Sequence, residues 1–247
     1  MFIRLAKIFL LLPLLLLNSC IEGEEEIWIN LDASGKIRAH YEFPPALKAQ
    51  IGDPDVIVAT LRAVDEREDG VEIQALSFEM VGRQLVFHLE ATFDDATDLL
   101  AVSERNMETI VEETGMDPEQ ADAISGKITF AMNGMSPSFQ REISLAGMFP
   151  GMVARNPQLL GKSNFRYLIH LPFPVTETNA HQVLNDGKTL SWTFLLRDHV
   201  SEPMALSLQT KILIPWWVWG LLLVGLVLLV GLVLLVLLVR KIFWRSN

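Results

Sequence analysis

The chain has 247 residues, with 30 Asp and Glu against 20 Lys and Arg, and a single cysteine. Between residues 20 and 211 the imbalance deepens to 30 acidic against 15 basic side chains, a formal charge of −15. That balance argues against nucleic acid as a partner, because affinity for it rests on neutralising phosphates with Lys and Arg, and one cysteine cannot close an internal disulfide.

In chain order, Arg4 and Lys7 precede the apolar run Ile8 to Leu17, which as a helix rises only about 15 Å and is too short to span a bilayer. Residues 1–19 therefore read as a signal peptide. Leu17-Asn18-Ser19-Cys20 resembles the lipobox of bacterial lipoproteins, in which the cysteine is acylated and becomes the first mature residue. The competing reading is an ordinary cleaved signal whose cysteine is incidental. The position of the lone Cys20 at the expected cleavage site favours lipidation, with palmitate as the expected acyl group.

Residues 20–211 form one extracytoplasmic domain in which apolar and polar residues alternate. Ile27, Ile29 and Leu31 share a face that resumes in Ile37, Ala39, Tyr41 and Phe43 after the turn Asp32-Ala33-Ser34-Gly35, a hairpin signature. The same period returns around Ile73, around Phe87 and Leu89, around Phe130, and at Phe139 to Leu145. It appears again at Phe165 to Phe173 and at Leu190 to Leu196. With the segment before Lys211 this makes roughly nine strands, and clean alternation belongs to antiparallel sheets with one wet face. Two stretches switch to helical spacing. Asp53 and Pro54 open a helix with Ile57, Leu61 and Val64 on one side, and a longer helix spans Asp95 to Thr114, with Leu99, Leu100, Met107, Ile110 and Val111 as its apolar stripe. Glu104, Glu108 and Glu112 lie on its wet side. The expected fold class is α+β: one curved antiparallel sheet packed on the long helix, helix-grip-like, followed by a C-terminal transmembrane helix.

Motifs for catalysis are missing from the sequence. It holds no His-Glu-x-x-His, no nucleophile elbow and no glycine-rich phosphate loop. His40, His88 and His170 lie on the polar phase of their strands and meet as a zinc site only if those strands are neighbours; scattered surface histidines are the commoner outcome. No metal, no cofactor and no enzymatic activity are expected. The Met-rich stretch around Met132, Met135, Met148 and Met152 reads either as an apolar lid or membrane-touching loop over Met148 to Val153, or as a cap packed on the core.

Residues 212–239 are 28 consecutive uncharged, mostly apolar residues, more than the ~20 a helix needs to cross a bilayer. Trp216, Trp217 and Trp219 sit at the front as interfacial anchors, and Arg240, Lys241 and Arg245 in the tail 240–247 mark the cytoplasmic side. Only Ile21 to Glu24 separate Cys20 from the first strand, a reach of about 14 Å at ~3.5 Å per residue, so both tethers are short.

The lipidated cysteine, the hairpin before Gly35 and the late run Pro172-Phe173-Pro174-Val175, Thr178-Asn179-Ala180, Gly187 and Thr189-Leu190-Ser191-Trp192-Thr193-Phe194, followed by one C-terminal span, look like the LppM-type envelope lipoproteins. The resemblance implies a sheet gripping a helix, related in shape to lipid-binding domains, and a role at the cell envelope. The resulting expectation is a non-enzymatic lipoprotein of the cell (inner) membrane. It would bind an envelope lipid or other hydrophobic ligand through Phe87, Leu89, Leu99, Met107, Phe130, Met148, Phe149 and Trp192. The partners are membrane lipids and, in the alternative reading as a scaffold, another envelope protein.

Overall fold

The computed structural model describes residues 21–149, 160–211, 223 and 225, and the chain divides into two compact units, Met1–Lys211 and Ile212–Asn247. The first unit opens with the expected hairpin. Strands β1 (Glu22–Ile29) and β2 (Gly35–Phe43) pair antiparallel with Ile27 opposite Ile37, and Asp32 closes the turn by accepting from the Ser34 amide at 3.2 Å and hydroxyl at 2.7 Å. A 3₁₀ turn at Pro45–Leu47 and a single helical turn, α1 (Lys48–Ile51), lead to α2 (Pro54–Asp65). Asp53 caps α2 through the Asp55 amide at 3.0 Å with Pro54 in the first turn, as its sequence signature requires.

Strands β3 (Val71–Val81) and β4 (Gln84–Phe93) make the next hairpin, and α3 (Ala96–Thr114) follows, capped by Asp95 and ended by Gly115 at φ 66°. Then come α4 (Pro118–Ser125), the hairpin β5 (Lys127–Asn133) and β6 (Ser136–Ile143), and the short α5 (Leu145–Met148). After residue 159 the chain supplies β7 (Asn164–His170), β8 (Val175–Thr178), β9 (Gln182–Leu184), β10 (Thr189–Leu195) and β11 (Met204–Thr210).

This is not one antiparallel sheet gripping a helix. The strands form a seven-stranded sheet, β3-β4-β2-β1-β7-β10-β9, and a separate four-stranded sheet, β5-β6-β11-β8. The larger sheet is mixed, because β1 and β7 run parallel from Glu22 opposite Asn164 to Trp28 opposite His170. Alternation reveals which face of a strand is buried but not which strand lies beside it, and a parallel partner more than a hundred residues away leaves no local mark.

The long helix is also displaced from its expected role. It packs mainly on α2 and meets β3 and β4 only at its margin. The core forms instead where the two sheets face each other: Phe165, Tyr167, Leu190, Trp192 and Phe194 from the large sheet join Ile143, Met204, Leu206 and Leu208 from the small one. Among the described residues α3 contributes nothing to that buried cluster.

The expected transmembrane helix is likewise not an element of the described fold. Of residues 212–239 only Leu223 and Gly225 are described, both helical. Among the described residues no helix is long and apolar enough to cross a membrane. Trp216, Trp217 and Trp219 lie outside the described residues, as do the signal segment 1–19, Cys20 and the tail 240–247.

Candidate functional site

The interior contains a polar centre set by the acidic run after Cys20. Ile21 just before β1 and Gly23, Glu25, Ile27 and Ile29 within it share one phase, so Glu25 points inward among apolar neighbours and is buried. Arg141 from β6 reaches across from the other sheet and pairs with Glu25 at 2.5 Å; its Nε donates to the Ser125 carbonyl at 3.0 Å, and its guanidinium lies 5.7 Å from the centre of the Tyr167 ring. The Tyr41 hydroxyl donates to the second Glu25 oxygen. Burial, and after it the Glu25 charge, raises the pKa of Tyr41 well above its ordinary value and raises Tyr167 in the same way. For Arg141 burial works against the charge, but Glu25 and the two phenols more than offset it and the pKa rises. Phenols whose pKa is raised hold on to their protons, and the pair is walled in by both sheets. Its geometry ties the sheets together.

Gly23 is part of the same construction. It lies between Tyr41 on β2 and Phe165 on β7, and a Cβ there would meet ring carbons of the two at 2.5 and 2.6 Å. The missing side chain lets the rings close over the strand.

The opposite face of the large sheet is a charged ladder. Arg38 pairs with Glu90 at 3.0 Å and with Glu26 at 3.7 Å, and Arg166 pairs with Glu24 at 3.2 Å. His170 bonds Glu26 at 2.8 Å and stacks on Trp28 with ring centres 5.1 Å apart. His40 and His88 are cross-strand partners with ring centres 6.0 Å apart, whereas His170 sits beside Trp28 on the far side of β1. The three imidazoles do not converge, and among the described residues no group of three His, Cys, Asp or Glu could hold a metal ion.

The structure separates the expected ligand-binding residues. Trp192, Met148 and Phe149 are buried in the core cluster, and Phe149 faces Phe43 with ring centres 6.2 Å apart. Phe87 packs half-buried against that cluster, its ring edge-to-face with Phe78 at 5.6 Å. Leu89 and Met107 are half-buried outside it. Leu99 lies in α3, but its side chain is outside the described atoms, as are residues 150–153 of the Met148 to Val153 loop. Phe130 differs from all of these, being 47% exposed on β5.

Met132 and Met135 on the same hairpin are 55% and 40% exposed. The hairpin pairs Ile128 with Arg141, Phe130 with Phe139 and Met132 with Pro137. One face is therefore half-buried at its Arg141 end and becomes exposed toward the turn, still apolar. Two shallow, open hollows lie elsewhere among the described residues, one at the β1–β2 turn with Pro172 and the other along Pro45 to Asp53. Of the residues expected to line a ligand site, Trp192, Met148 and Phe149 are thus part of the buried cluster between the sheets.

The late motif that carries the family resemblance proves to be a stitch between sheets. Asn179 Oδ1 accepts from Trp192 Nε1 and from the Ser207 amide, both at 2.8 Å, while its Nδ2 donates to the Ala205 carbonyl at 2.8 Å. Thr178 adds a bond to the Ser207 carbonyl at 2.8 Å.

The two ends of the domain are far apart. Ile21 is buried, and its amide donates to Ser163 Oγ at 2.8 Å, which leaves no slack after Cys20. At the other end the Thr210 hydroxyl donates to the Pro174 carbonyl at 2.9 Å, and the Val175 amide donates to the Gly187 carbonyl at 2.9 Å. Those contacts put the close of β11 near the Trp28–His170 end of β1, the opposite end from Glu22. Along β1 the separation is about 20 Å at ~3.3 Å per residue.

No family model matches this chain, and no curated protein matches it. Among solved structures it is similar to the folded domain of the Mycobacterium tuberculosis LppM protein, with 15% identity, 80% of this chain and 92% of that one covered, and a TM-score of 0.45. It also resembles the Mu homology domain of Danio rerio Fcho1 with bound Eps15 peptide, with 12% identity, 79% of each chain covered and a TM-score of 0.23. The first is a weak likeness to a lipoprotein domain, and neither is close enough in shape to carry an argument about function.

Proposed function

We propose that this chain is a non-catalytic lipoprotein of the cell envelope whose main domain is extracytoplasmic and engages envelope lipid at the membrane surface. Acylated Cys20 and the apolar run of residues 212–239 hold it to the membrane. The observation that supports this reading is the set of large apolar side chains, Phe130, Met132 and Met135, exposed on one hairpin. A monomeric domain rarely leaves such a patch to water without a partner. The absence of a catalytic motif in the sequence and the closed, ion-paired interior support a non-enzymatic role.

Native mass spectrometry of the full chain extracted in mild detergent tests this. A stoichiometric copurifying phospholipid or glycolipid is expected, and folded protein that carries no lipid would count against the reading. Among the described residues β5 is an edge strand of its sheet, and that edge on the apolar hairpin favours the alternative of a docking module for another envelope protein. In that case the same experiment would return a protein adduct in place of lipid.

A further inference from the structure

We infer that the β5–β6 hairpin is the element that enters the lipid surface, with Phe130, Met132 and Met135 seated at the headgroup–acyl boundary. The inference rests on the lipid-binding reading above and adds the surface that makes the contact.

Three observations select this hairpin and this occupant. The first is position. Gln209 of β11 lies opposite Ser138 of β6, so β11 ends level with the hairpin turn. One residue after Lys211 the sequence enters its uncharged run of 28 residues. The chain therefore leaves the domain toward that run at a point level with the hairpin tip, because Thr210 is buried and fixed by its bond to Pro174.

The second is charge. The domain carries 30 acidic side chains, yet residues 127–141 contain none, and their two basic residues are Lys127 and the buried Arg141. An anionic leaflet repels most of this surface but not the hairpin. The exposed Met80 and Val81 at the β3–β4 turn, by contrast, are flanked by Glu79 and Arg83.

The third is the geometry of attachment. Cys20 precedes the Glu22 end of β1 and Lys211 leaves from the other end, with no linker at either. A chain attached to one leaflet through both points has its strands lying along the membrane plane. That posture brings a flank of the domain, and not just one tip, against lipid.

The test uses the full chain reconstituted into vesicles of mixed phosphatidylethanolamine and phosphatidylglycerol. An environment-sensitive fluorophore is placed at Met135→Cys or, as a control, at Glu104→Cys on the exposed side of α3, and lipids carrying a nitroxide quencher are added. The Met135 label is expected to emit blue-shifted light and to be quenched several-fold more than the Glu104 label. Equal, water-like emission at both sites overturns the inference. So does a shielded Met135 label that lipid nitroxides fail to quench, because a second copy or another protein then covers the hairpin. The wider lipid reading fails separately. If lipid copurifies while Met135 stays wet, only the assignment of the hairpin is lost; if no lipid copurifies and the label is wet, both are lost.

Discussion

Removing Arg141 measures what joins the two sheets. In Arg141→Met the apolar stem is kept and the charge lost, so Glu25 stays buried with only the Tyr41 hydroxyl as a partner. Breaking a buried ion pair from one side costs about 3–5 kcal/mol. The Ser125 carbonyl at the end of α4 loses its Arg141 donor as well, for about 1 kcal/mol more. Since a domain is stable by roughly 5–15 kcal/mol, the variant is expected to lose a large fraction of its margin. Glu25→Leu should behave similarly by stranding the guanidinium. The double variant Glu25→Leu with Arg141→Met should recover most of the loss and come within about 1 kcal/mol of the parent, because apolar groups of similar volume can replace a buried pair at little cost. Urea unfolding of the detergent-solubilised chain, followed by near-ultraviolet circular dichroism, provides the three values. A loss under about 1 kcal/mol in the single variants, or a double variant as unstable as their sum, would refute the claim that this pair bridges the sheets.

Four further outcomes are expected. Tyr41 has a raised folded-state pKa, so the stability it contributes is complete below about pH 10 and declines as pH rises toward the folded value; thermal melts between about pH 9 and 11 should slope less for Tyr41→Phe, and parallel slopes would exclude Tyr41 as the cause. Gly23→Ala should destabilise by about 1–3 kcal/mol in a denaturant titration, because its Cβ displaces the Tyr41 and Phe165 rings, and a neutral result would show that both rings yield freely. Trp192→Phe should cost about 2–3 kcal/mol, more than the loss of its bond to Asn179 alone, by leaving a gap in a fully buried site; a melting temperature within a degree of the parent would argue against the stitch. If the proposed attachment through residues 212–239 holds, Cys20→Ala should stay in the membrane fraction, because an apolar run of that length would bind more durably than acyl chains do, and its release to the soluble fraction on sedimentation would show that the run is not an anchor.

Local structure was legible in the sequence wherever one short segment carried the whole signal. The β1–β2 hairpin, the Asp53 cap and the helix read over Asp95 to Thr114, which spans Ala96–Thr114, all formed where their residues required. Assembly was not legible, because the information is distributed. Nothing in Asn164–His170 names β1 as its parallel neighbour, and nothing in the spacing of α3 says that it will pack on α2 more than on the sheet. Periodicity specifies a face that must be buried and leaves the covering element open.

The candidate site was half legible for a related reason. Burial is a property of a residue's neighbours, so Phe130 and Trp192, which read alike as apolar phases of alternating strands, ended on opposite sides of the solvent boundary. Two signals that bear directly on the site were nonetheless present in the letters. Glu25 occupies the apolar phase of β1, between Gly23 and Ile27, and an ionisable group in that phase calls for a buried counter-charge; Arg141 supplies it from a strand whose proximity no spacing could reveal. The other signal is the stretch from Lys127 to Arg141, free of Asp and Glu in a domain otherwise dense with them. The register of β11 sets that stretch level with the end of β11, and the missing acids and exposed methionines are what the proposed lipid contact requires, since a surface placed beside an anionic leaflet has to shed negative charge before it gains anything by being apolar.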